Sequence, residues 1–308
     1  MEKIYYKNLS KLIKHIPKSK GFFVLYNKEE ALYVKSTENL NKFIALYTDK
    51  DSENESIVSI SEQLERIEYL ETNTLMEAFL EEQKIIDNFN PLFNKIIKPY
   101  YKYVYLGINY NNNPYFKVCD DTTEDYIYLG PFRSSFFIND VLDAFANLFK
   151  LPRCQDAGKT GCDRLHENLC LGFCQNRLGE ALPNLINYML LMPNKEIIDK
   201  LNEEHEIMLE NLNYPMAENL KAQIDLLIKY YKHVLFFHTS KYIEGTFELK
   251  NQKIEINNGV LSSYNKLIDD YRKENEALAY DKSEFDHRWI IFDFIFNTNP
   301  DYLISKMR

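Results

Sequence analysis

Four of the five cysteines in this 308-residue chain lie within 21 residues, and this cluster limits the fold more than any other sequence feature. They are spaced C-x7-C-x7-C-x3-C, at Cys154, Cys162, Cys170 and Cys174. Thiols at this density in a reducing compartment favour a metal site over disulfides. The spacing lacks the CxxC pairs of zinc ribbons. We predict a loop folded around a zinc ion or an iron–sulfur cluster, and four unrelated thiols are the alternative.

The overall composition indicates a folded intracellular protein. Apolar residues make up 45% of the chain and charged residues 27%, which argues against disorder. No apolar run reaches the ~20 residues of a membrane-spanning helix, and the first ten residues lack the apolar core of a signal peptide. We therefore expect a cytoplasmic protein with no membrane partner. The net charge is −9, so a nucleic-acid partner has to be inferred from local patches.

Hydrophobic periodicity in the first hundred residues predicts alternating helices and strands. An apolar helical period ends at Pro17, and GFFVLYN and ALYV then read as a β-hairpin followed by a helix that Asn39 caps. Residues 49–71 are acidic and are interpreted as a solvated face. The run TLMEAFLEEQKIIDNF predicts a second helix, which stops before Pro91.

The remaining sequence continues this α+β pattern. YKYVYLGINYNNNPYFKV predicts a hairpin, and a helix over residues 136–149 follows YIYLGPF. Residues 182–232 predict two or more helices with a break at Tyr214-Pro215. The tail contains a predicted hairpin, GTFELKNQKIEINNG, and a final helix around DHRWIIFDFIF.

The order of these segments resembles the GIY-YIG nuclease domain, specifically the N-terminal half of the excinuclease subunit UvrC and the shorter excinuclease Cho. The resemblance rests on GFFVLY, LYV, MEAFLEEQKII before PLFNK, YLGPFRSS, the four cysteines, and NLNYPMAENLKAQI, which is similar to the UVR motif. We predict an α+β protein with a GIY-YIG-like domain and small central sheet over residues 1–99. A hairpin, a helix and the cysteine cluster follow over 100–180, a UVR-like helical hairpin over 181–233, and a C-terminal α/β element over 234–308.

The resemblance implies metal-dependent cleavage of DNA phosphodiester bonds during excision repair. It places the ligand of a Mg²⁺ or Mn²⁺ ion on Glu82 and a phenol that helps to activate water on Tyr33. The family's asparagine falls on Asn94. An ordinary solvated helix glutamate is the alternative for Glu82, and a packed strand aromatic is the alternative for Tyr33.

Four family positions have lost their residue type. Phe23 stands in place of the first-motif tyrosine, Lys35 in place of the motif glycine, Ser36 in place of a lysine, and Phe43 in place of an arginine. Loss of one preorganised donor to a developing oxyanion costs about 10²–10³ in rate. Neighbouring lysines, such as Lys42, sit one residue away, which on a helix is about 100° of rotation. The sequence therefore predicts a weak or inactive nuclease.

The resemblance also implies a cofactor and a protein partner. It favours a four-iron four-sulfur cluster over zinc at the four cysteines. It implies that a UvrB-like helicase binds residues 201–230, whose charge is −4. An intramolecular helix pair is the alternative for that segment.

Local basic residues are candidates for contact with DNA. Lys95, Lys98 and Lys102 are interleaved with tyrosines, as in surfaces that combine phosphate contacts with base stacking. An exposed strand with charged flanks is the alternative. Arg153 and Arg164, in the cysteine segment, are further candidates for phosphate contact.

Three functions are open on this basis. The first is a metal-dependent endonuclease of nucleotide excision repair with an incomplete catalytic set. The second is a catalytically inactive DNA-binding protein that carries an iron–sulfur cluster. The third is a protein-interaction module that binds through the UVR-like helices.

Overall fold

A computed structural model describes residues 2–5, 13–28, 30–97, 99–110, 114–153, 163–172, 181–249, 252–262 and 278–307. These residues form helices and small antiparallel sheets, so the predicted α+β class is confirmed. The chain divides into two compact units. The first comprises residues 1–99, 244–262 and 286–300, and the second comprises 100–243, 263–285 and 301–308.

The first unit is built on a four-stranded antiparallel sheet of strand order β1-β4-β2-β3. Its strands are β1 (Glu2–Tyr5), β2 (Gly21–Asn27), β3 (Glu30–Thr37) and β4 (Arg66–Glu71). The predicted hairpin of β2 and β3 is confirmed, with Phe23 opposite Lys35. The strand β3 forms one edge of the sheet.

Four helices accompany this sheet, and three of them begin at a side chain that caps the first turn. The four helices are α1 (Leu40–Tyr47), α2 (Glu55–Gln63), α3 (Leu75–Phe89) and α4 (Leu92–Ile96). The Asn39 side chain accepts the Lys42 N–H at the start of α1, as predicted. Thr74 caps α3, which ends at Asn90 in the left-handed region, with φ 46°, directly before Pro91. Of the predicted N-terminal helix, the described residues show a 3₁₀ turn at Ile13–His15.

The interpretation of residues 49–71 as a solvated face holds for seven of the eight acidic side chains, which are exposed, but not for the segment as a whole. This segment supplies α2 and the central strand β4, and both Ile60 and Ile67 are fully buried. Most apolar residues of this segment face the core, and acidic residues lie between them in the sequence. The net charge of a segment does not show which residues share a face, so it did not reveal this pattern. Glu68 is itself buried, and Arg66 lies 3.1 Å from its carboxylate.

Apolar clusters cover both faces of the sheet. One cluster contains Phe23, Leu25 and Tyr33 together with residues of α1 and α2. The other contains Phe22 and Val34 together with residues of α3. Because side chains alternate along a strand, this division places the odd-numbered aromatic residues of the hairpin on one face.

The second unit contains a three-stranded sheet and a long helical hairpin. Its strands, in the order β6-β5-β7, are β5 (Val104–Ile108), β6 (Phe116–Cys119) and β7 (Ile127–Phe132). Its helices begin with α5 (Ser135–Phe149), α6 (Asp163–His166) and α7 (Ala181–Ile186), which continues as a π-helical turn over Asn187–Leu191. The hairpin is α8 (Lys195–Glu210) and α9 (Tyr214–Thr239), and its break lies before Tyr214, as predicted.

The chain then returns to the first unit. The predicted tail hairpin is confirmed as β8 (Gly245–Leu249) and β9 (Gln252–Asn257), to which β10 (Val260–Leu261) adds a third strand. The final helix is α10 (Lys282–Thr298), and its residues from 286 onward belong to the first unit. A short helix, α11 (Pro300–Ile304), ends the fold. Among the described residues, no helix is long and apolar enough to cross a membrane.

Candidate functional site

Glu82 is buried on α3 beside the edge strand of the sheet. Its side chain is 5% exposed, so the alternative of a solvated helix glutamate does not describe it. The Ser36 N–H donates to Glu82 Oε2 at 2.8 Å. A charge-assisted bond of this kind satisfies a backbone donor that the edge strand leaves unpaired. One carboxylate oxygen is thus used for structure, and the Oε1 atom is left for another ligand.

Asn94 lies on α4 and binds the same edge of β3. Its Oδ1 accepts the Val34 N–H at 2.8 Å, and its Nδ2 donates to the Val34 carbonyl at 2.8 Å. The side-chain amide therefore pairs with both backbone groups of one residue, as a neighbouring strand would. The family resemblance placed Glu82 and Asn94 at one site. In the structure they bind the backbone of Ser36 and Val34, which are two residues apart on β3.

Tyr33 is packed in an aromatic cluster on the opposite face of the hairpin. It is 2% exposed, and its ring lies 4.7 Å from that of Tyr47 and 6.3 Å from that of Phe23. The Tyr33 hydroxyl donates to the Tyr47 hydroxyl at 3.0 Å. Tyr47 was not selected from the sequence, although the apolar period of α1 (Leu40, Ile44, Tyr47) turns it to this face.

The electrostatic surroundings of Tyr33 oppose its ionisation. Burial raises its pKa well above the ordinary value, and Tyr47, Glu82 and Asp286 raise it further. A phenol that activates water needs the opposite shift, towards the working pH. Tyr33 is therefore a hydrogen-bond donor in this site and a poor proton acceptor.

The positions that have lost a cation stay without one. Ser36 is 6% exposed and contributes its backbone to the Glu82 bond, and the Phe43 ring packs against the core beneath the sheet. The side chain of Lys42 is exposed, as expected from its rotation away from the Phe43 direction. The charge of Lys35 acts on His287.

Two residues from the far end of the sequence enter this site, and sequence reasoning missed both. The His287 ring lies 5.0 Å from the ring of Phe79, one turn before Glu82 on α3. Asp286 is close enough to raise the pKa of Tyr33. Burial, together with the charge of Lys35, lowers the pKa of His287 to about 4, so the imidazole is neutral at pH 7. No signal in the sequence links residues more than two hundred positions apart.

Of the residues predicted to contact nucleic acid, some are exposed and others already bind protein groups. Lys95 and Lys102 are exposed, and Lys98 lies outside the described residues. Arg153 donates to Asp143 at 2.7 Å, and Arg164 donates to the carbonyl oxygens of two neighbouring residues. Both arginines are therefore engaged within their own unit.

Of the four clustered cysteines, the described residues include Cys170. Cys170 is half-buried, and the Gly172 N–H donates to its sulfur at 3.4 Å. Cys154, Cys162 and Cys174 lie outside the described residues. Within the part of the chain that the structure describes, no three His, Cys, Asp or Glu side chains converge as metal ligands. The cluster stays a prediction.

Comparison with known proteins identifies the class of the first domain. Residues 19–95, which contain β2, β3, β4 and the Glu82 helix, match a family described as the UvrC-like GIY-YIG domain. This segment is therefore a GIY-YIG domain. Within that class it is of the UvrC type, which confirms the resemblance found in the sequence.

Curated relatives match a longer part of the chain. The UvrABC system protein C of Finegoldia magna is 24% identical over 229 residues, covering 70% of this chain and 38% of the relative. That of Methanococcus maripaludis is 26% identical and covers 70% and 41%. The chain spans about two fifths of the length of these relatives. The magnesium-bound GIY-YIG N-terminal endonuclease domain of UvrC from Thermotoga maritima is 23% identical, with TM-score 0.27, and covers 30% of this chain and 99% of that one.

Proposed function

We propose that this chain is a UvrC-like protein of nucleotide excision repair that binds DNA and cuts it weakly or not at all. One observation carries the proposal. Tyr33 is buried, donates its proton to Tyr47, and has its pKa raised by every neighbour that acts on it. The domain type supplies the link to DNA repair.

The chemistry of the site explains the expected weakness. Phosphodiester cleavage develops negative charge on the phosphate and the leaving oxygen, and positioned cations stabilise that charge. The two cation positions hold Ser36 and Phe43, and loss of two such donors slows a reaction by about 10⁴ or more when their effects add. A base with a raised pKa lowers the rate further at neutral pH.

Glu82 fits a divalent cation in type. A carboxylate oxygen suits the hard Mg²⁺ and Mn²⁺ ions, and Mg²⁺ sites often use one carboxylate and several waters. Glu82 Oε1 would hold the ion, because Oε2 accepts the Ser36 N–H. When bound, the metal would act as a Lewis acid towards the phosphate.

DNA binding is supported by exposed charge and aromatic surface. Lys95 and Lys102 are exposed, and the Tyr101 side chain is 69% exposed, with its ring 4.9 Å from that of Tyr100. Lysines neutralise phosphates, and exposed tyrosine rings stack on bases. Arg153 and Arg164 contribute less, because their guanidinium groups already bind protein oxygens.

The cofactor and the helicase partner belong to the same proposal. Cys154, Cys162, Cys170 and Cys174 would hold a four-iron four-sulfur cluster, with zinc as the alternative. The Gly172 N–H donates to the Cys170 sulfur, so the loop backbone turns towards this side chain, as it would around a bound centre. A UvrB-like helicase would bind residues 201–230, since the hairpin between α8 and α9 exposes apolar side chains. These are Ile207, Leu212, Tyr214 and Met216.

An incision assay tests the activity. A lesion-containing duplex is incubated with Mg²⁺ or Mn²⁺ and with the wild type, with Glu82→Gln or, as a reference, with a UvrC domain that has the full catalytic set, and the rate of incision is measured. We expect the wild type to be slower than the reference by about 10³ or more. Glu82→Gln is the informative variant, because its amide oxygen still accepts the Ser36 N–H, whereas Glu82→Ala would also disturb the fold.

DNA binding is measured on the same samples across a salt series. We expect binding at low salt that weakens steadily as salt rises, because phosphate contacts release counterions. Incision at the reference rate that disappears in Glu82→Gln would contradict weak catalysis. An absence of binding at low salt would contradict the role on DNA.

A further inference from the structure

Three elements of the first unit meet at the β3 edge of the sheet, where Glu82 binds the backbone of Ser36. Tyr33 and Lys35 are alternate residues of β3 and share one face of the strand. Phe79 and Glu82 are three residues apart on α3 and share one face of the helix. The third element is the part of α10 that begins at Asp286.

One ring contact links this part of α10 to α3, and two electrostatic interactions link it to β3. The His287 ring lies 5.0 Å from the Phe79 ring. His287 also lies within electrostatic range of Lys35, and Asp286 lies within range of Tyr33. Asp286 and His287 therefore lie next to the residues that the domain would use for its chemistry.

The covered groups are withdrawn from solvent. Glu82 is 5% exposed, and Phe79 and Tyr33 are each 2% exposed, whereas Phe89 on the same helix is 59% exposed. A charged carboxylate is costly to bury, and a phosphodiester and its metal need access to it. Such burial suits a closed state better than one ready to bind substrate.

We propose that α10, from Asp286 onward, is a built-in cap that closes the β3 edge of the sheet, beside Glu82 and Tyr33. The proposal rests on the assignment of this edge as the nuclease site. Access of a divalent cation and DNA requires displacement of the cap. The conformational equilibrium of α10 then sets the apparent affinity of the site, which falls in proportion to the open fraction.

The cap is held in place by residues other than His287. Ile291, Phe292 and Ile295 are fully buried on α10. Arg288 donates to the Asn258 carbonyl in the turn after β9. Replacement of His287 by alanine should therefore weaken the contact of the first turn of the cap with α3. The three buried apolar side chains should keep the rest of the helix in place.

Hydroxyl-radical footprinting tests the closed state on the intact protein. In the wild type we expect oxidation of Phe89 and protection of Phe79 and Tyr33. In His287→Ala we expect oxidation of Phe79 to rise severalfold, with Asn297→Ala, an exposed site on the same helix, as the matched control. Wild-type Phe79 that is oxidised as readily as Phe89 would overturn the proposal, whether or not the variant folds.

Binding of Mn²⁺, followed by electron paramagnetic resonance, tests the consequence for the site. We expect His287→Ala to bind Mn²⁺ about tenfold more tightly than the wild type, and the gain to vanish when Glu82→Gln is added. An affinity equal to that of the wild type, or a gain that survives Glu82→Gln, would overturn the cap. Neither measurement uses DNA. A protein that fails to bind DNA would therefore contradict the proposed function and leave the cap to be judged by these results.

Discussion

At the residue scale, Glu82 and Asn94 combine a family position with a structural task. Both bind backbone groups on the outer side of β3, at Ser36 and at Val34. An edge strand presents unpaired N–H and C=O groups, which invite pairing with other chains. These two side chains satisfy that edge, so their presence does not by itself indicate a working nuclease.

Substitution of Asn94 tests this structural task. Asn94→Ala removes both bonds to Val34 and leaves a partly buried N–H and C=O without those partners. We expect the free energy of unfolding to fall by about 2 kcal/mol in a urea titration. Asn88→Ala, an exposed position on α3, is the control and should change it by less than about 0.5 kcal/mol. Equal effects of the two substitutions would argue against the edge role.

At the element scale, the long helix α9 holds its buried face through aromatic and histidine contacts. The His233 ring lies 5.5 Å from that of Phe132 and 5.2 Å from that of Phe137. Burial lowers the pKa of His233 to about 4, and the charges of Arg133 and Lys232 act in the same direction. The helix is therefore most stable while this imidazole is neutral.

This pKa predicts a loss of stability in acid. Because the folded pKa lies below the unfolded value of 6.5, the unfolded chain takes up the proton first, and stability falls between pH 6.5 and about 4. Between pH 6.5 and about 4, the free energy of unfolding of His233→Gln should fall by about 2 kcal/mol less than that of the wild type. Urea titrations at several pH values measure this difference. The decline should persist in part, because the pKa of His287 is also about 4. His205→Gln serves as the control, and a wild-type slope in His233→Gln would contradict the assignment.

At the scale of the whole molecule, an acidic chain can bind DNA only through local patches of positive charge. The net charge of −9 offers no general attraction to DNA. Binding to DNA would then depend on locally exposed lysines such as Lys95 and Lys102. A thiolate centre would stabilise the chain around it, because ligand binding is coupled to folding.

The metal centre gives a prediction for the whole protein. Anaerobically purified protein should contain iron and show a broad absorption near ~400 nm, whereas a zinc form would be colourless. Cys170→Ala should lose metal, and Cys119→Ala should retain it, because Cys119 is buried in β6, outside the cluster. Wild-type protein without iron or zinc, or a Cys170→Ala variant with full metal content, would refute the centre.

Much of the local structure followed from the sequence because its causes are local. Alternation of apolar residues defined the β2–β3 hairpin, and side-chain caps at Asn39 and Thr74 defined where helices begin. The sequence likewise identified Glu82, Tyr33 and Asn94 as a group, through the spacing of a known family. It failed at β4, where acidic residues concealed a central strand.

The sequence by itself determined most of the elements and the GIY-YIG type of the N-terminal segment, and it predicted the loss of two cations, since these depend on residue identity and near neighbours. Only the tertiary structure decided that Glu82 is buried against Ser36, that Tyr33 donates to Tyr47, and that His287 lies on Phe79. Burial and pKa depend on which distant segments pack together, and chain order does not encode that packing in any local pattern.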